Sequence, residues 1–144
     1  MVASNAKIVQ LWAPTAQTNS ATTTARLDCV GADYVTIVLN CAIELNTNAV
    51  GPTLSLLSCD NTTVTNIATI VADRSAEDLV AAKDVVYHVD MRSQKRYLRL
   101  TLTSATATND NVTSAAVAIL TRLDEAPSST SEMVGSTNDA VVVV

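Results

Sequence analysis

A period of two restricts this chain more than any other feature. From Tyr97 to Thr103, Leu98, Leu100 and Leu102 take one face while Tyr97, Arg99, Thr101 and Thr103 take the other, the alternation of a strand with one side buried. Just upstream, Val85, Tyr87, Val89 and Met91 share a face opposite Val86, His88 and Asp90. A polar turn near Arg92-Ser93-Gln94 separates the two runs and predicts a β-hairpin over 85–103. The clearest strand begins at Tyr34, where Val35, Ile37, Leu39, Cys41 and Ile43 alternate with Tyr34, Thr36, Val38, Asn40 and Ala42. Both of its faces are rather apolar, so it belongs at the centre of a sheet.

Other segments repeat the theme. Lys7 to Trp12 is a short strand that Pro14 should end, because proline cannot donate to a ladder. Thr22 to Asp28, Thr53 to Cys59 and Asn66 to Ala72 are further strands, and Ala115 to Leu123 is the last, with Ala115, Val117, Ile119, Thr121 and Leu123 alternating. The spacing Ser75-Ala-Glu-Asp78 suits a helix start and predicts one or two helical turns over 76–82. Gly31 suits a connector needing positive φ. Residues 44–52, 73–84 and 104–114 are the long connections, the last turning at Asn109-Asp110-Asn111. About eight strands with long connections favour a single jelly-roll or Greek-key β-sandwich, an all-β fold.

Composition agrees. Apolar residues make up 48% of the 144, yet Phe is absent and aromatics are only 3%, so the core is built from Val, Leu, Ile and Ala. The domain plan is an N-terminal arm over 1–20, a sandwich over 21–123 and an extended acidic C-terminal arm over 124–144. That last segment holds Asp124, Glu125, Glu132 and Asp139 with no base, then ends on Val141, Val142, Val143 and Val144. A Val-rich end is a sticky edge, expected to add as a strand to a neighbouring subunit or partner.

Several functions are disfavoured. The net charge of −5 opposes general nucleic-acid binding, which needs a basic surface to release counterions. One histidine, His88, and no nucleophile-elbow motif argue against a hydrolase triad, so no catalytic residue is assigned. Cys29, Cys41 and Cys59 form no C-x-x-C pair, which disfavours a zinc site or disulfide framework and fits buried, reduced thiols. No metal and no cofactor is expected. No apolar run reaches membrane-span length and no signal-peptide pattern stands at the start, so no membrane is expected and synthesis in a reducing cytoplasm is. What remains is a contact surface. Arg92, Lys95, Arg96 and Arg99 are four of the nine bases, and with Tyr97 they make an Arg/Tyr patch of the kind enriched at interfaces. Trp12, the only tryptophan, and Val141 to Val144 complete the proposed contact set.

Three segments carry a family resemblance: RLDCVGADYVTI at 26–37, VDMRSQKRYLRL at 89–100, and the acidic Glu125-Ala126-Pro127 exit. Together they resemble the capsid cement or decoration proteins of tailed bacteriophages, small proteins with a jelly-roll-like sandwich. The resemblance implies a non-enzymatic virion protein on the outer surface of the head, made in the bacterial host cytoplasm. Its implied partners are the major capsid protein and itself, as a homotrimer, with no nucleic acid and no membrane. The alternatives are a phage neck, tail or fibre module, and a host-surface or carbohydrate-binding sandwich using the loops at 44–52 and 104–114. Few aromatic rings for sugar stacking weigh against the latter.

Overall fold

The computed structural model describes residues 6–18, 20–44, 52–61, 63, 67–74, 83–104, 111–121 and 140–143. The strands are β1 (Lys7–Gln17), β2 (Thr22–Asp28), β3 (Tyr34–Glu44), β4 (Thr53–Cys59), β5 (Ala68–Arg74), β6 (Lys83–Asp90), β7 (Tyr97–Thr103), β8 (Asn111–Thr121) and β9 (Ala140–Val143). A 3-10 turn at Met91–Ser93 follows β6. One sheet runs in the order β1-β8-β3-β6-β9 and the other β2-β7-β4-β5. The pairs β1–β8, β2–β7, β3–β6 and β4–β5 are nested and antiparallel. A long hairpin with β4 and β5 at its tip, rolled so that successive pairs change sheet, gives this order: a jelly-roll sandwich.

Alternation placed the buried faces. Val35, Ile37, Leu39 and Cys41 of β3, Val85, Tyr87 and Val89 of β6, and Leu98, Leu100 and Leu102 of β7 all enter one core with Leu54 and Leu56. Burying each of these larger side chains is worth roughly 1.5–3 kcal/mol. As its two apolar faces suggest, β3 is the central strand of its sheet.

The expected hairpin over 85–103 does not form. β6 pairs with β3 and β9 in one sheet, whereas β7 pairs with β2 and β4 in the other. The two leucine- and valine-rich faces look at each other across the core instead of lying side by side. Alternation specifies which face is buried, and both arrangements satisfy it equally. The 3-10 turn at Met91–Ser93 makes the crossing, with Met91 buried at the corner.

Three strand readings also change. Pro14 does not end β1, which continues to Gln17 through register shifts between Gln10 and Trp12 and between Trp12 and Thr15. β1 is an edge strand, and irregular edge pairing tolerates a residue without an N–H. β8 begins at Asn111, inside the expected loop, and buries its even-numbered residues Val112, Ser114, Ala116, Ala118 and Leu120, leaving Val117 outside. Size explains the choice of face: Ala116 stands in register between Trp12 and Leu39, and Ala118 beside Ile37, so small residues fit between large neighbours. β5 runs two residues later than expected, over Ala68–Arg74. The helical turns expected over 76–82 lie outside the described residues.

The link from β2 to β3 turns at Cys29–Ala32, where the Ala32 N–H donates to the Cys29 carbonyl at 3.0 Å. Gly31 has φ 76° there, the positive value that the third position of such a turn requires. All three cysteines are buried and unbridged. Burial pushes the Cys29 and Cys41 thiols up to about 12, so neither is a ready nucleophile.

Candidate interaction surfaces

At one end of the sandwich two crossings run side by side: β2 to β3 and β6 to β7. The Met91 N–H donates to the Asp33 carbonyl at 2.8 Å and the Cys29 N–H to the Arg96 carbonyl at 3.0 Å. Each crossing starts at an aspartate that caps its own turn and holds an arginine. Asp28 accepts from the Val30 N–H at 3.1 Å and from Arg96 through Nε at 2.8 Å and Nη2 at 2.6 Å. Asp90 accepts from the Arg92 N–H at 3.0 Å and from the Arg92 guanidinium at 2.7–3.2 Å. The guanidiniums hold both carboxyls below their ordinary range. The arginines also stack on rings, Arg92 over Tyr34 at 5.0 Å and Arg96 over Tyr97 at 4.9 Å. Lys95 reaches Asp60 at 3.6 Å.

The basic part of the expected Arg/Tyr contact patch is therefore engaged within the chain at Arg92, Lys95 and Arg96. Arg92 and Arg96 fix the crossings; Asp90, two residues before Arg92, is the sequence signal of that role for Arg92, whereas Arg96 takes its partner Asp28 from far along the chain. Arg99 is different: it lies on the outer face of the four-stranded sheet with Tyr97 and has no ion pair among the described residues. Trp12, also in the expected contact set, lies on β1. Its side chain belongs to the core, and its indole N–H donates to Ser114 Oγ at 3.1 Å, the buried acceptor that such a ring requires. Val141, Val142 and Val143 do add as a strand, but parallel to β6 of their own chain. Val144 lies outside the described residues. Residues 7–17 of the expected arm are strand β1 itself.

A second surface escaped the sequence reading. On the outer face of the five-stranded sheet, Ile8, Ile119, Thr36 and His88 form one cross-strand row, and Gln10, Val117, Val38 and Val86 the next. Ile8 is 72% exposed and Val117 36%, while Ile119, Val38 and Val86 are half-buried. Five aliphatic side chains thus meet on a face open to solvent. The only early signal was the apolar outer side of β3. His88 Nδ1 and Thr36 Oγ1 are 3.0 Å apart, and burial lowers the pKa of the ring. Further along the same sheet, Ala16, Ala42, Asn111 and Thr113 line a shallow cavity of about 260 Å³.

Among the described residues, no group of three or more His, Cys, Asp or Glu is placed to hold a metal, and no helix is long and apolar enough to cross a membrane. No family model and no curated protein matches the chain. Solved structures similar to it include the N-terminal CBM22-1–GH10 modules of Clostridium thermocellum endo-1,4-β-D-xylanase 10B in complex with xylohexaose. That match has TM-score 0.38 and 15% identity over 74% of this chain and 20% of that one. Another is BtGH115A, a GH115 4-O-methyl-α-glucuronidase with specificity for decorated arabinogalactans, at TM-score 0.39 and 13% identity, covering 72% of this chain and 14% of that one. The chain thus spans a fifth or less of either neighbour, and likenesses this distant carry no inference about ligand or activity.

Proposed function

We propose that this chain is a non-enzymatic structural protein, a capsid cement or decoration protein of a tailed bacteriophage. It binds the outside of the head, joins major capsid protein subunits and associates with further copies of itself. The observation that carries the reading is the aliphatic outer face of the five-stranded sheet, with Ile8 and Val117 exposed beside Ile119, Val38 and Val86. Such a face is costly in water and stabilising once another subunit covers it. The edge strands β1 and β9 flank it, so a docked subunit meets backbone donors and acceptors as well as side chains. Binding the assembled shell but not its dissociated parts would stabilise the shell by mass action.

Electron cryomicroscopy of particles carrying this chain tests the proposal. Density for the sandwich repeating over the shell at equivalent lattice positions is the expected result. Copies confined to one vertex would assign the chain to the neck or tail instead. Particles without the chain, together with glycan binding by the isolated protein, would remove the capsid reading altogether.

A further inference from the structure

The outer face of the four-stranded sheet is built differently. Arg26 of β2 and Arg99 of β7 are directly opposite in register, with Leu57 next in the row on β4. The row beside them is hydroxylic: Thr24, Thr101 and Ser55, with Thr24 and Thr101 hydroxyls 3.3 Å apart. Like charges facing each other across a ladder oppose folding unless something neutralises them. Asp28, two residues along β2 from Arg26, has its two oxygens taken by Arg96. Neither Arg26 nor Arg99 has an ion pair among the described residues, and Arg99 Nε is buried without a hydrogen-bond partner. Every other described arginine whose side chain is placed sits on an aspartate.

We infer that Arg26 and Arg99 form a binding site for carboxylates of an acidic segment of another protein chain. Two adjacent guanidiniums offer fork-shaped donors that match a carboxylate's two oxygens, and the flanking threonine and serine hydroxyls donate beside them. A nucleic acid is the poorer occupant: residues 1–123 carry nine bases against ten acids, and two guanidiniums do not track a phosphate backbone. The surface is on the sheet opposite the aliphatic face, so it goes beyond the assembly reading and stands without it.

Titrating the full-length protein with hexaglutamate, while following arginine Nε–H resonances by NMR, tests the site. The Arg26 and Arg99 signals should move together and saturate, and the movement should weaken as salt is raised. R26Q or R99Q should weaken binding about tenfold, with R99K, which keeps the charge but not the fork, falling between. R92Q serves as the control and should bind like the unaltered chain. The inference is overturned if hexaglutamate leaves both resonances in place, or if R26Q and R99Q bind as the unaltered chain does. Inorganic phosphate saturating the pair at lower concentration than hexaglutamate would overturn the carboxylate assignment. Circular dichroism of each variant separates lost binding from lost fold.

Discussion

The two outer faces of this sandwich share one core and present opposite chemistry. The five-stranded sheet shows Ile8, Val117, Ile119, Val38 and Val86 to the outside, whereas the four-stranded sheet shows Thr22, Thr24, Thr101, Thr103, Arg26 and Arg99. Threonine suits the second face because its branched carbon favours the strand while its hydroxyl stays in water; Thr22 and Thr103 pair at 3.1 Å in the same way as Thr24 and Thr101. The first face has β-branched residues too, but in the two aliphatic rows all of them except Thr36 are Ile or Val and lack the hydroxyl. One sheet is finished toward solvent and the other is not. The difference teaches that strand propensity and surface role are separate properties, and that the aliphatic face is where burial remains to be gained.

The contrast depends on a shared interior, and the largest effect comes from removing it. Leu100 is 1% exposed in the middle of β7, between Ala25 and Leu56 in register. Leu100→Ala should cost about 2–5 kcal/mol, from lost transfer energy and the cavity left behind. Urea unfolding should show the loss with an unchanged slope. A loss below about 1 kcal/mol would mean that the two sheets do not close on one core.

The next effect should be large in association and small in stability. Ile8→Lys with Val117→Lys places charge on the aliphatic face without touching the core, so unfolding should shift by no more than about 0.5 kcal/mol per site. Self-association and shell binding, read by sedimentation, should be lost. Thr24→Lys with Thr101→Lys on the opposite sheet should leave both intact. If the threonine-side pair is the one that dissociates the protein, the roles of the two faces are reversed.

How far the sequence reached follows from the same contrast. Leu98, Leu100 and Leu102, and Val85, Tyr87 and Val89, were legible as buried because alternation with polar neighbours leaves one choice of face. Their partners were not, since β6 and β7 satisfy their alternation across the core as well as they would side by side. β8 has apolar residues on both faces, and there the rule that bulk goes inside fails, because Ala116 and Ala118 lie between large neighbours. At the corner, charge was legible and its use was not. Asp28 reaches Arg96 across 68 residues of sequence, a contact no local pattern announces.

That corner gives a third, smaller effect. The Asp28 and Asp90 carboxyls are held below their ordinary values by Arg96 and Arg92, so the folded state releases their protons more readily than the unfolded chain. Their contribution is fully present above the unfolded value near 3.9 and is lost as pH falls through the folded values. Both pairs are exposed, so the contribution is modest and falls with salt. Stability measured downward from pH 5 should decline less steeply in Asp28→Asn, Asp90→Asn than in the unaltered chain. Identical acid limbs would mean that the forks are shaped for geometry alone.

The smallest effect concerns His88, the one titratable side chain in the aliphatic rows. Its ring is half-buried, Nδ1 faces the Thr36 hydroxyl at 3.0 Å, and Nε2 is buried without a hydrogen-bond partner. Burial lowers its pKa, so the unfolded chain binds the proton more readily than the folded one. The sign follows: stability is fully present above the unfolded value near 6.5 and declines as pH falls through the folded value. β9 pairs alongside, with Val143 in register with His88. Deleting 140–144 opens that flank to water, and an NMR titration should show the His88 pKa rising toward the ordinary value. An unmoved titration would mean that β9 does not shield the ring, leaving β6 as the edge of the face that the proposed subunit contact covers.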